Sequence, residues 1–255
     1  MKQKVLTGTL LVGILGPILY FGGLAFDVLV ILFLFLGSLE IADIYKKEWP
    51  SFMRWLVVII TFGVAFAPIE YFMVTLVSLL ILLFTLSVLF ENIHFFSITY
   101  LFVMLTIVAL AVKGFIYFES LSSLVIFYVA VATYMADTAA YFVGVTMGKH
   151  KLAPRVSPNK TIEGAVGGWF FGSIATFGFG YFMLMDILGF NIILLTSILL
   201  PFVGMLGDLA FSLIKRHYQI KDFGSLFPAH GGVLDRIDSL LFASVFFYSI
   251  LLVML

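Results

Sequence analysis

The chain has 255 residues, 63% of them hydrophobic and only 11% charged, with 14 basic residues balanced by 14 acidic ones. Soluble domains are roughly half apolar and about a quarter charged, so a water-facing globular core is excluded, and zero net charge offers no basic field for nucleic acid. The absence of cysteine excludes disulfides, thiolate nucleophiles and Cys-ligated zinc.

Runs of about 20 apolar residues, the length a helix needs to cross a bilayer core, recur along the whole chain. They predict an all-α polytopic membrane protein with about nine transmembrane helices, near 5–23, 25–43, 53–68, 70–90, 95–117, 122–147, 164–186, 190–214 and 236–255. Met1-Lys2-Gln3-Lys4 resembles the charged flank of a signal peptide, but no cleavage site into a soluble domain follows, so this stretch is read as a retained span. The third span is short and ends at Pro68.

Basic residues set the orientation. With a cytoplasmic N-terminus, Lys2 and Lys4, then Lys46, Lys47 and Arg54, then Lys149, Lys151, Arg155 and Lys160, then Lys215, Arg216, Lys221 and Arg236 share the cytoplasmic side. Of the 14 basic residues only Lys113 falls opposite.

The chain changes character near residue 120. Residues 1–120 read as a scaffold for dimerisation and lipid access, with acidic groups (Asp27, Glu40, Glu70, Glu91) near span ends where solvation explains them. Glu40 and Asp43 sit where a cytoplasmic opening would be. Residues 121–255 read as the catalytic part, with a polar cavity facing the cytoplasm. Asp137 lies inside the sixth span, where a carboxylate costs roughly 2.5–3.5 kcal/mol and needs a partner or a wet cavity. Gly164, Gly168, Gly172, Thr176 and Gly180 form a small-residue stripe suited to close helix packing. Pro201 should kink or break the eighth span. Beyond it Asp208, Ser212 and Lys215 make a stripe about 10 Å long.

The 27 residues from Ser212 to Asp238, SLIKRHYQIKDFGSLFPAHGGVLDRID, hold two Lys, two Arg, two His and three Asp between apolar segments. Asp235 and Asp238 share a helix face. A loop, Ser157-Pro158-Asn159-Lys160-Thr161, leads into Glu163-Gly164. Converging carboxylates suit a hard divalent cation such as Mg²⁺, and nearby cations with a helix N-terminus suit phosphate. Gly231-Gly232 would let backbone approach a ligand. Gly144 to His150 is one residue short of a phosphate loop and lacks its final hydroxyl residue. These features point to phosphoryl-group chemistry at the cytoplasmic bilayer surface.

Ser212, Lys215-Arg216, Lys221-Asp222, Gly224, His230-Gly231-Gly232, Asp235-Arg236 and Asp238 closely resemble the signature of phosphatidate cytidylyltransferases, also called CDP-diacylglycerol synthases. Asp137-Thr138, Ala140-Tyr141, Gly144, Gly148-Lys149, Lys151-Leu152, Ser157 to Thr161 and Glu163-Gly164 are similar to the same family, so the resemblance covers 137–238. It implies transfer of CMP from CTP to phosphatidate, giving CDP-diacylglycerol and pyrophosphate for phospholipid synthesis in the cell's inner membrane. The implied catalytic residues are Asp208, Lys215, Asp222, Asp235, Arg236 and Asp238. The implied substrate-binding residues are Ser157, Asn159, Lys160, Thr161, Ser212, Lys221, His230, Gly231 and Gly232. Asp208, Asp235 and Asp238 are the expected metal ligands, with Asp137 as a further candidate. Mg²⁺, a second monovalent cation such as K⁺, and a homodimer belong to the same expectation.

Two other classes compete. An ion-coupled transporter would use Asp137 and Asp208 as relays. A CTP-dependent polyprenol or phytol kinase, or an archaeal-lipid cytidylyltransferase, would keep CTP and change the acceptor.

Overall fold

The computed structural model describes Gly13, residues 16–227 and residues 231–255. Most of the first predicted span and His230 lie outside the described residues. The principal helices are α1 (Gly23–Asp43), α2 (Ser51–Phe66), α3 (Phe72–Leu89, after a 3-10 turn at Ile69–Tyr71), α4 (Phe95–Leu121), α5 (Ser123–Met147), α6 (Ile162–Met183), α7 (Met185–His217) and α8 (Leu234–Met254). Among the described residues, six helices are long and apolar enough to cross a membrane: α1, α3 with its 3-10 turn, α4, α5, α7 and α8. α2 has only 16 residues. The protein is therefore a helical polytopic membrane protein.

Each helix buries one side and leaves the other apolar and exposed, the pattern expected where lipid replaces water. α3 is the most peripheral, exposing Met73, Val74, Val77, Ile81 and Val88. α4 is central and buries Leu101, Met104, Leu105, Ala109 and Phe118. α8 packs against both α4 and α7, with the Phe247 ring tilted against Phe118 at 5.2 Å and Tyr128 at 5.6 Å between centroids. The change of character at residue 120 is thus crossed by the packing.

The glycine stripe on α6 does what its spacing predicts. Gly164, Gly168, Gly172, Thr176 and Gly180 are all buried. An added Cβ at Gly168 would sit 2.7 Å from the Ala136 carbonyl oxygen, and one at Gly172 2.9 Å from Ala136 Cβ. Close backbone approach of α5 and α6 follows, and it fixes the face that carries Asp137.

α7 is not broken at Pro201. It runs through Pro201 with helical backbone angles, and its interruption is at Gly189, where φ is 72°. Proline weakens the hydrogen bonds of the preceding turn. Here the Trp169 indole donates to the Ile198 carbonyl at 2.9 Å, so a neighbouring helix supplies a donor where proline disturbs the ladder.

Ser157–Thr161, expected as a loop, is strand β2 of a small antiparallel hairpin with β1 (Lys151–Ala153). Lys113, the one basic residue expected opposite the other thirteen, is buried (9% exposed) and donates to the Ala67 carbonyl at the end of α2. It satisfies an orphan helix carbonyl, so it adds no exposed loop charge.

Candidate active site

Two polar clusters lie along the α7 stripe. The first surrounds Asp208, whose side chain is 24% exposed. Lys160, from β2, forms an ion pair with it, and the Ser212 hydroxyl donates to Oδ1 at 3.4 Å. Asp137 of α5 and Asp238 of α8 come close enough to Asp208 for mutual repulsion, offset by Lys160 at Asp137 and by Lys215 at Asp238. Ser239 bridges the last two carboxylates: its hydroxyl lies 3.5 Å from Asp137 Oδ2 and 3.5 Å from Asp238 Oδ1, and its N–H donates to Asp238 at 2.8 Å. Three carboxylates from three helices thus face one another with the Lys160 ammonium among them.

The second cluster is built on Asp235. Its side chain is 1% exposed and accepts from Lys215 Nζ at 2.8 Å, Phe223 N at 2.8 Å and Gly232 N at 3.0 Å. Lys215 also lies 5.6 Å from the centre of the Phe223 ring. Gly231 has φ 79°, a left-handed conformation that favours glycine, and a Cβ there would sit 2.8 Å from Asp235 Oδ2. The close approach expected of Gly231-Gly232 is made to the protein's own carboxylates.

The hairpin is locked to the helices around it. Thr161 caps α6 by accepting from Gly164 N at 3.1 Å. Arg216, at the end of α7, donates to the Val156 carbonyl at 3.2 Å. Glu163, at the aqueous edge of α6, meets His150 Nδ1 at 2.6 Å and accepts from Lys149 N at 3.1 Å. The His150 contact is the main reason its carboxyl is held down at about 2.

Of the other expected site residues, Ser157 is half-buried, and Asn159, Lys221, Asp222 and Arg236 are exposed. The Arg236 carbonyl accepts from Tyr134. Glu40, Ser239, Glu163 and Phe223 are structurally central here without having been assigned site roles from sequence. Glu40 stands near the end of an apolar helix, where solvation accounts for an acid equally well, so its signal was weak; a serine or phenylalanine carries none.

Among the described residues, no three Asp, Glu or His side chains are already assembled as a metal site. The donor chemistry separates the candidates. Asp235 already uses both oxygens on three donors, whereas Asp137, Asp208 and Asp238 repel one another with few donors between them, and such a set fits a hard divalent cation.

A bundle of apolar helices with acids and lysines gathered among α5, α7, α8 and the hairpin defines a polytopic membrane protein with a polar site. The chain belongs to the Cytidylyltransferase family, whose model matches residues 2–254. It is similar to proteins named phosphatidate cytidylyltransferase from Bacillus subtilis (strain 168), at 45% identity over 126 residues, from Staphylococcus haemolyticus (strain JCSC1435), at 44% over 138, and from Staphylococcus aureus (strain COL), at 43% over 138. These matches cover 49%, 53% and 53% of this chain and 46%, 53% and 53% of the relatives. The chain thus spans about half the length of the curated relatives it matches.

Proposed function

We propose that this chain transfers CMP from CTP to phosphatidate, giving CDP-diacylglycerol and pyrophosphate. The observation that carries the reading is the gathering of Asp137, Asp208 and Asp238, with Lys160, from four separate segments. Family membership and the names of the relatives point to the same chemistry. A phosphate oxygen of the lipid attacks the α-phosphorus of CTP, a new P–O bond forms, and the bond to pyrophosphate breaks.

Two polyanions must meet, so cancelling their repulsion is the main task. Lys160 sits on the hairpin beside the carboxylates and is placed to follow a phosphate. Arg236 and Lys221 present exposed cations to the nucleotide, with Asp222 beside Lys221. Lys215, held by Asp235, offsets the charge of Asp238. Asp137, Asp208 and Asp238 would hold Mg²⁺, which supplies charge neutralisation on the phosphates when bound. Asp235 ties Phe223 to Gly232.

In this reading α2 and α6 also cross the bilayer, the N-terminus and the polar clusters face the cytoplasm, and the lipid tails remain in an inner membrane. The protein acts as a homodimer.

The test is product analysis by mass spectrometry after mixing detergent-solubilised chain, phosphatidate, CTP and Mg²⁺. CDP-diacylglycerol and pyrophosphate are expected. With CTP labelled in both the base and the γ-phosphate, transfer of phosphate alone to a lipid alcohol marks a kinase, and no CTP-dependent product at all leaves the transporter reading.

A further inference from the structure

Glu40 lies on α1, in the half of the chain that carries no signature residue. Its carboxylate reaches the start of α8, where Oε1 accepts from Val233 N at 2.8 Å and Oε2 from Leu234 N at 2.9 Å. The residue is 8% exposed. Gly224 and Gly232 pack on it so closely that a Cβ at either would overlap its side-chain atoms. Asp235 meanwhile takes Phe223 N and Gly232 N from the same loop. Two buried carboxylates therefore hold Phe223 and Gly224 together with Gly232, Val233 and Leu234, one from inside the signature and one from across the molecule.

The chemistry is suited to this. The first N–H groups of a helix have no partner within it, and negative charge is favoured there. A buried carboxylate in turn needs strong donors. The first turns of α8 carry Asp235 and Asp238, so whatever fixes the start of α8 also fixes those carboxylates against α7.

We infer that Glu40 is a positioning residue: by gripping Val233 and Leu234 it sets Gly224, Gly232 and the start of α8 in the arrangement the site requires. The N-terminal helices are thereby part of the catalytic apparatus. The consequence for turnover rests on the CTP-dependent reading above, whereas the consequence for the loop does not.

Hydrogen exchange read by mass spectrometry on the full detergent-solubilised chain tests this directly. Glu40→Gln keeps the size of the side chain but turns an NH₂ toward one of two N–H donors. Peptides over 221–238 should exchange about tenfold or more faster, with those of α4, α5 and α6 unchanged. CDP-diacylglycerol formation should fall by about tenfold or more in the same preparation. Gly232→Ala, which presses the contact from the loop side, should give the same local signature. Combining it with Glu40→Ala, which makes room for the new methyl group, should give a smaller loss than the two single losses together. Unchanged exchange over 221–238 in Glu40→Gln overturns the inference. So does acceleration spread evenly over all helices, which would mark a general folding role. If wild-type chain makes no CDP-lipid while the local exchange pattern appears, the proposed reaction fails and the positioning by Glu40 stands.

Discussion

Asp208 and Asp235 are both carboxylates expected as metal ligands, yet their surroundings give them different tasks. Asp235 is buried and accepts from three donors; removing its charge leaves Lys215 without its ion-pair partner in a site where that side chain is 12% exposed. Breaking such a pair costs about 3 kcal/mol or more. Asp235→Asn should therefore abolish turnover and also lower the thermal midpoint in detergent. Asp208 is more open and its Lys160 partner is 30% exposed, so its ion pair contributes little to stability, roughly 1 kcal/mol or less. Asp208→Asn should reduce CDP-lipid formation about a hundredfold or more with a nearly unchanged melt. Equal loss of stability in the two variants would erase the distinction. Lys46→Ala is the matching control. Lys46 lines a concavity of about 450 Å³ at the corner of α1 and α2, with Asp43, Trp49, Arg54 and Trp55, and its loss should leave turnover within about twofold, as for surface positions generally.

At the scale of elements, the α5–α6 pair is the mechanical base of the site. α5 brings Asp137, and the strand leading into α6 brings Lys160, so their separation sets how far those two groups stand apart. Gly168 has no room for even one methyl group, with Ala140 Cβ and the Ala136 carbonyl oxygen both 2.7 Å from where a Cβ would lie. Gly168→Val should push the helices apart and destabilise the protein by about 1–3 kcal/mol or more, read as a lower melt together with lost activity. Gly178, on the same helix, has nothing within 4 Å of the place a Cβ would take, so Gly178→Ala should be tolerated. The stripe was readable because its spacing is a property of one helix. The hairpin was not, since β1 and β2 are too short for any periodicity to show. The passage of α7 through Pro201 was hidden for another reason: the indole donor at Ile198 comes from a different helix.

For the whole molecule the proposal with the widest consequences is orientation. The absence of cysteine makes this simple to address, because any single introduced thiol reports alone. Lys47→Cys, Asn159→Cys and Lys221→Cys should all react with a membrane-impermeant maleimide from the cytoplasmic side of oriented vesicles, and Glu70→Cys only from the opposite side. Labelling of Asn159→Cys and Lys47→Cys from opposite sides would break the proposed topology. Lys47, Asn159 and Lys221 are exposed, so a failure to label would reflect sidedness rather than burial.

Composition and hydropathy alone determined that this is a helical membrane protein, because a helix in lipid must be apolar over its own length and that requirement is written locally. The placement of basic residues between the apolar runs, the glycine stripe and the C-terminal signature are local in the same sense. Which carboxylate meets which donor was decided only by tertiary structure. Asp235 tied Phe223 to Gly232, Asp137 joined Asp208 and Asp238, and Glu40 found Val233 and Leu234 far along the chain. Such pairings depend on how separate helices pack, and an acid at the end of an apolar segment looks the same in sequence whether it meets lipid headgroups, water or the first turn of another helix.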